Sequence, residues 1–431
     1  MSYLNFLSLT GIFFFMFLAW IFSKNHKNIN WRLIFFGVSL QLLFALLIFY
    51  TPFGILLFNL INSSVVKILS FANEGIYFVF GPLAISPGKT GPLGEKSIGF
   101  ILAFQALPLV IFFSALMSLL YHFGIMQKII GAFSYIFTKL MKISGAESLC
   151  ASANIFVGIE SCFTIRPYIE GMTMSELCTI LTAGMATIAS TVMAIYVGFL
   201  QDQIPTIAGH LVLASLLSAP AAIVMSKLLY PEDGSPFTLG RVVKLHYEKA
   251  SNWVEAITKG SGEGVRLCVG IVALLLSFLG LLGLFNWLIS TVGSWFRIDL
   301  SLQKILSYLY WPLSFMMGIP PKDIGSVSFL LGERMILTEL VSYQHLNQYI
   351  SDGILTDLRS IVITSYALCG FSHIASLAIF VGGISSLVPK RAKDLAKLGF
   401  RSLFAATLAC LSTGAVSGLF FNSVQPLLIK F

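Results

Sequence analysis

The sequence predicts an all-α integral membrane protein with eight transmembrane helices and two re-entrant hairpins, folded as an inverted repeat with two broken helices. Three observations carry the prediction. Of the 431 residues, 57% are hydrophobic and 11% charged, against roughly 25% charged residues in soluble domains. Apolar runs of about 20 residues, the length that crosses hydrocarbon as a helix, recur along the chain. The tripeptide Ile-Ala-Ser occurs at 188–190 and again at 374–376, each time in a glycine-bearing apolar segment that follows a polar, interrupted one.

Taken in order, spans are expected near 5–23, 33–52, 99–122, 175–200, 207–227, 267–290, 358–388 and 399–421. The first lacks the basic n-region and small-residue cleavage site of a signal peptide and is followed at once by a second apolar run, so it is read as retained. Lys24, Lys27 and Arg32 follow span 1, Lys128, Lys139 and Lys142 follow span 3, Lys227, Arg241, Lys244 and Lys249 follow span 5, and "KRAKDLAK" follows span 7. All fall on one side, whereas "QDQIP" after span 4 has no Lys or Arg. The positive-inside rule makes that side cytoplasmic, puts both termini outside, and explains the net charge of +8 without nucleic acid. The Gly- and Pro-rich segment 85–99 reads as an outer connection. Segments 125–142 and 230–264 alternate basic and apolar residues and read as helices lying on the cytoplasmic surface.

This divides the chain into N-terminal helices with the outer loop (1–98), a third helix with its interfacial helix (99–145), a first repeat (146–230), an interfacial and long scaffold helix (231–300) and a second repeat (301–431). In each repeat a glutamate-bearing interrupted segment, with Glu160 in "NIFVGIESCF" and Glu339 in "GERMILTELVSY", precedes the broken helix, "TAGMATIAS" or "YALCGFSHIAS". The first broken helix runs from inside to outside and the second from outside to inside. Interrupted segments at matching positions of two halves are where secondary transporters build a midplane site.

A carboxylate within a span costs about 2.5–3.5 kcal/mol on insertion scales, so Glu160 and Glu339 should face protein or water. For Glu160 a structural pair with Arg166 stays open, and Glu333 with Arg334 reads as a rim pair. His373 shares a helical face with Cys369 and Ser376, and serves either as a solute or proton contact or as a packing residue. Asn154, Ser161, Thr187, Ser190 and Ser376 are of the small polar kind that joins membrane helices. The six cysteines, at 150, 162, 178, 268, 369 and 410, lack metal-site spacing and read as small hydrophobes. No zincin, nucleophile-elbow or phosphate-loop motif supports an enzyme. The inverted halves favour alternating access over a channel.

Several stretches resemble the concentrative nucleoside transporter family: "AFQALPLVIFFSALMSLLYHFGIMQ", "NIFVG" with the "RPYI" that follows, "SELCTILTAGMATIAS", "LLSAPAAIVMSKLLYPE", "ILTELVSY" and "RSIVITSYALCGF" with "ASLAIFVGG". The resemblance covers nearly the whole chain, 100–420 most clearly. It implies a homotrimer in a plasma membrane of the bacterial inner-membrane type, each protomer enclosing one nucleoside and driven by a cation gradient, with no other cofactor. It also implies that the hairpin and broken-helix unit moves as a body against a rigid remainder.

On this resemblance Glu160 stands for the glutamate of the family's Gly-Gln-Thr-Glu hairpin and contacts the base, with Ile159 in place of the glutamine and Ser161 following, one residue fewer separating them from Arg166 and Pro167. Glu339 corresponds to the ribose-contacting glutamate, and Phe371, His373 and Ser376 to the family's Phe, Asn and Ser. An imidazole where the family has an amide points to a narrowed or shifted solute range. The family's sodium ligands fall on Asn154, Val157, Thr187 and Ile188, oxygen donors suited to a hard cation. A proton taken by Glu160 or His373 is the alternative coupling ion.

Overall fold

In the computed structural model residues 2–247, 249–295 and 300–421 are described; residues 422–431, read from sequence as the end of the second repeat, lie outside them. The helices in order are α1 (Tyr3–Ile21), α2 (Trp31–Tyr50), α3 (Pro52–Phe80), α4 (Leu102–Gln105), α5 (Leu107–His122), α6 (Ile125–Met141), α7 (Gly145–Ala153), α8 (Arg166–Ile169) and α9 (Met174–Ala186). They continue with α10 (Ser190–Leu200), α11 (Ile207–Leu229), α12 (Trp253–Trp295), α13 (Leu302–Met316), α14 (Ile324–Ile336), α15 (Glu339–Ser351), α16 (Leu358–Leu368), α17 (Ile374–Leu387) and α18 (Ala392–Phe420).

The chain runs twice through one pattern. A helix (α6, then α13) leads into a hairpin (α7 with the 3₁₀ turn Ile159–Ile165 and α8, then α14 with α15), a broken helix (α9–α10, then α16–α17) and a long closing helix (α11, then α18). The helices break because the backbone turns extended: at Thr187 and Ala189 in the first repeat and at His373 in the second. A break in hydrocarbon is tolerated only where its freed backbone groups face protein or a polar cavity. Here the breaks face each other, and Phe371 N–H donates to the Thr187 carbonyl at 3.3 Å. Each second half-helix packs on the other repeat's hairpin, α10 on α15 and α17 on the Ile159–Ile165 turn.

Gly370 allows this crossing. A Cβ there would lie 2.8 Å from the Ala186 carbonyl oxygen and 2.5 Å from Cys410 Sγ. Gly370→Ala is therefore expected to destabilise the protein by about 1–3 kcal/mol, the usual range for overpacking. Gly382→Ala, at an open position of α17, is the control, and the thermal unfolding of the two purified variants makes the comparison.

Around this centre α9, α10, α11 and α18 are almost wholly buried, whereas α12 is almost wholly exposed. What α12 touches most is α5. Gly260 and Gly264 let the two backbones approach, since a Cβ at Gly260 would sit 2.6 Å from the Ser114 carbonyl and one at Gly264 2.7 Å from Ile111 Cα. This is small-residue packing of the kind membrane helices use. Gly264→Leu is expected to part α5 from α12 and lower the unfolding temperature, with Gly262→Leu, one position where a Cβ meets open space, leaving it nearly unchanged.

The sequence expectations need one addition and one correction. Eight helices are long and apolar enough to cross a membrane among the described residues, and seven of them coincide with expected spans. The expected span 358–388 is the broken helix α16–α17, each half of it shorter than a full crossing. The addition is the helix Pro52–Ala84, passed over because Asn62, Ser63, Ser64, Lys67, Asn73 and Glu74 dilute its apolar character; it is not counted as a crossing, since that would move the basic segments after α5 and α11 to the side of the termini. The predicted interfacial helix at 230–264 does not form as such: Pro231, Gly234, Pro236 and Gly240 keep 231–247 out of helix, and from Trp253 the chain already belongs to α12. With 43 residues α12 is about 64 Å long at 1.5 Å per residue, roughly twice the hydrocarbon thickness. The other expected surface helix, 125–142, is α6.

Candidate functional site

The site is built from the first hairpin upward. Ser144 opens α7 with a capping box to Glu147, and the Asn154 N–H closes it on the Cys150 carbonyl. The chain then leaves helical geometry, and Ser190 N–H, at the start of α10, donates to the Phe156 carbonyl at 2.9 Å. That bond pins the hairpin to the break of α9–α10. Gly158 consequently lies at a crowded point: a Cβ added there would be 3.2 Å from Glu160 Oε2, 3.4 Å from Ala189 Cβ and 3.9 Å from the Phe371 ring. A carboxylate, an aromatic ring and a helix break thus border one position.

Beside it is a cavity of about 370 Å³, whose lining includes Tyr121, Glu160, Arg166, His246, Lys259 and Glu263. Glu160 is exposed to this space, and among the described residues no cation pairs with it. The open alternative of a Glu160–Arg166 structural pair is therefore not realised as a contact, although both residues line the cavity. Ile159 turns away, its Cδ1 against Gly383 of α17. Ser161 also turns away, its buried hydroxyl donating to Asn154 Oδ1 at 2.9 Å.

The second repeat supplies a closed network. Glu339, at the start of α15, accepts from the Tyr196 hydroxyl at 2.5 Å and lies 2.7 Å from His373 Nε2. His373 is the N-cap of α17: its Nδ1 accepts the Ser376 N–H at 3.2 Å. An Nδ1 that accepts leaves the ring proton on Nε2, the atom that lies beside Glu339 Oε2. The Ser376 hydroxyl donates to the carbonyls of Phe371 and His373. Glu339, His373 and Ser376 are thus buried together, while Phe371 is half-buried.

The four expected cation ligands lie on the two segments that the Phe156–Ser190 bond joins. Asn154 and Thr187 are fully buried, the Asn154 amide nitrogen donating to the Cys150 carbonyl and the Thr187 hydroxyl to the Ala183 carbonyl. This leaves lone pairs on Asn154 Oδ1 and Thr187 Oγ1. Among the described residues no N–H donates to the carbonyls of Val157 or Ile188. A set of neutral oxygens at a helix C-terminus fits a hard monovalent cation.

Sequence reasoning missed three parts. Tyr196 lies 143 residues from Glu339, and nothing local marks it. The ion pair of Lys227 with Glu147 is as remote. Glu333 and Arg334 do not form the rim pair: Glu333 accepts from His345 at 2.9 Å, and Arg334 turns inward, fully buried, donating to the Ala367 carbonyl. Adjacent helical residues point about 100° apart, so a neighbouring pair on one helix rarely meets.

Family comparison gives three consecutive matches: the N-terminal part of the Na+ dependent nucleoside transporters at 10–83, a segment described as nucleoside recognition at 103–203, and the C-terminal part of the same transporters at 210–418. An uncharacterized transporter of Haemophilus influenzae is 36% identical over 96% of this chain and 97% of its own length. The chain belongs to the concentrative, sodium-dependent nucleoside transporter family. Glu160 and the first hairpin of this transporter chain fall in the nucleoside-recognition segment, and Glu339, Phe371, His373 and Ser376 in the C-terminal one. Solute carrier family 28 member 3 of Homo sapiens is 37% identical over 96% of the chain, which spans 59% of that protein. Sodium/nucleoside cotransporter 1 of Mus musculus is 34% identical, 63% of it being spanned. CNTnw solved in an inward-facing substrate-bound state is 32% identical with a TM-score of 0.87, covering 97% of this chain and 98% of that one. A doubly substituted CNTnw in an outward-facing state gives a TM-score of 0.88. The relatives of this transporter chain are membrane carriers, not enzymes.

Proposed function

We propose that the protein imports nucleosides by symport with sodium, through alternating access in which the paired hairpins and broken helices move as one body against α5 and α12. The observation that carries this reading is the meeting of Glu160, Phe371 and the α9–α10 break around Gly158 beside a cavity. An aromatic face and a carboxylate are what a nucleobase needs, one surface to stack on and one acceptor for its N–H edge. The cavity is also lined by His246, Lys259 and Glu263, from the region whose basic residues mark the cytoplasmic side, so this conformation is read as inward-facing with both termini outside.

Sodium at Asn154, Val157, Thr187 and Ile188 would tie the hairpin to the break, completing the shape around Gly158. By linkage sodium and nucleoside then raise each other's affinity by the same factor. Glu339, His373 and Ser376 reach the sugar only by exchanging the partners they hold here. The exposed apolar length of α12 suits contacts with lipid and with two further copies in a homotrimer of the plasma membrane.

Uptake of labelled uridine and adenosine into proteoliposomes tests the reading. Accumulation under an inward sodium gradient, without a proton gradient, is expected. Accumulation under a proton gradient alone would move coupling to Glu160 or His373. No accumulation under either would mean a different solute.

A further inference from the structure

A second cavity, of about 530 Å³, lies on the side read as external, where the residues of "QDQ" at 201–203 line it. One wall belongs to the part read as still: α3, the 85–99 connection, α4 and α5. The other belongs to the part read as moving, the end of α10 and one face of α15. Small-molecule sites have this size and favour such junctions between bodies. Five of the nine glutamines in the sequence line this cavity, Gln105, Gln201, Gln203, Gln344 and Gln348, together with two asparagines. The two charged residues among its described lining, Lys89 and Asp202, pair with each other at 2.9 Å. The lining is therefore neutral and rich in amides.

Each wall also carries an acceptor without a donor. On the still side Gln105 donates from Nε2 to the carbonyls of Ile85 and Gly99, at 3.0 and 2.8 Å. This fixes the amide and leaves Oε1 buried with no hydrogen bond among the described residues. On the moving side Asn347 Oδ1 is buried and unpartnered in the same way. Buried acceptors are ordinarily satisfied, so a solute that brings N–H or O–H donors gains at both walls. Phe100, also in the lining, is exposed, and its ring is held edge-to-face on Phe199 at 5.3 Å between centroids. An amide donates and accepts through one planar group, as the hydrogen-bonding edge of a nucleobase does. An exposed aromatic ring adds a surface on which a base stacks. A charged solute finds no counter-charge here that is not already paired.

We propose that this outer cavity is a second nucleoside site, which carries no solute across and is filled when external nucleoside is in excess. The inference rests on the nucleoside-symport reading and adds a regulation to it. A nucleoside that spans both walls binds only while they stand opposite each other. In alternating access the moving part takes Gln344, Asn347 and Gln348 away from Gln105 and Phe100, and the site is lost. A ligand shifts a conformational equilibrium through its differential affinity for the two states. Occupation of the outer cavity therefore holds the carrier in the present conformation and slows its return to the outward-facing one, so that nucleoside in excess limits its own uptake.

The test is equilibrium binding of labelled uridine to purified full-length protein in saturating sodium, with initial uptake rates into proteoliposomes as a second readout. The parent is expected to show a tighter and a weaker class of uridine site, and an uptake rate that passes through a maximum and falls as external uridine fills the weaker class. Gln344→Ala with Gln348→Ala, at two exposed positions of α15 and with a good helix former, is expected to weaken the weaker class about tenfold or more and to remove the fall. Glu160→Gln is expected to weaken the tighter class alone. Ribose without a base is expected not to displace uridine from the weaker class. A parent with a single class, lost in Glu160→Gln, and an uptake that saturates without falling overturns the proposal and leaves the symport reading intact. So does a folded double variant that keeps the weaker class or the fall. Displacement by ribose as readily as by uridine overturns the assignment to a nucleoside. Should the double variant not fold, Asn73→Ala, exposed on the opposite wall, takes its place with the same expected result. A parent with no uptake, whose only uridine site is the one sensitive to Gln344 and Gln348, fails the symport reading and leaves the outer site standing.

Discussion

Glu160→Gln is expected to abolish concentrative uptake while leaving the protein folded. The carboxylate is exposed to the cavity, unpaired among the described residues, and within reach of the Gly158 position that the Phe371 ring also borders. Nothing in the fold depends on its charge, because hairpin 1 is held by the Ser144–Glu147 capping box and the Phe156–Ser190 bond. A charge-assisted hydrogen bond contributes about 1.5–3 kcal/mol, so the neutral amide should weaken nucleoside binding about 10- to 100-fold. Isothermal titration of uridine with purified parent and variant, in saturating sodium, measures the difference, and size-exclusion profiles check folding. Unchanged affinity would remove Glu160 from the solute site.

What the sequence revealed and what it hid follow from the range of each interaction. The broken helices were legible because breaks are written locally: Gly184 and Thr187 interrupt one apolar run and Gly370, Ser372 and His373 the other. The glutamates of the hairpins were legible because a charge in apolar surroundings is conspicuous. Arg334 was read as a rim residue because its sequence neighbour is Glu333, whereas what decides its place is the carbonyl of Ala367, brought near only by packing. The segment 231–252 has the alternation of a surface helix, yet its prolines and glycines outweigh that pattern. Pro52–Phe80 shows the opposite failure: scattered polar residues lower its hydropathy without breaking a helix that Thr51 caps and Pro52 starts.

The cluster around Lys227 gives the largest expected effect on stability. Lys227 Nζ, near the end of α11, lies 2.5 Å from Glu147 Oε1 in α7 and 3.2 Å from Glu232 Oε2, and donates to the Ser175 hydroxyl of α9 at 2.9 Å. Glu147 is 1% exposed and Lys227 6%. One ammonium therefore joins the base of hairpin 1 to the first half of the broken helix and to the closing helix. Lys227→Met removes the cation and strands Glu147 in the interior, which costs about 3–5 kcal/mol for a broken buried pair. Replacing both partners by apolar groups of similar size is often nearly neutral, because neither charge then has to be desolvated. Lys227→Met is thus expected to unfold at a much lower temperature than the parent, and Lys227→Met with Glu147→Leu to recover part of the loss, the remainder being the Ser144 N–H cap bond that leucine cannot accept. Glu147→Leu alone should fall between them, since Lys227 keeps Glu232. The thermal unfolding of the four purified proteins in one detergent forms a double-mutant cycle. If the double variant is no more stable than Lys227→Met, the bond matters through packing of the long side chain rather than through its charge. Recovery of stability with uptake still impaired would mean that the pair also sets where hairpin 1 stands when sodium and nucleoside arrive.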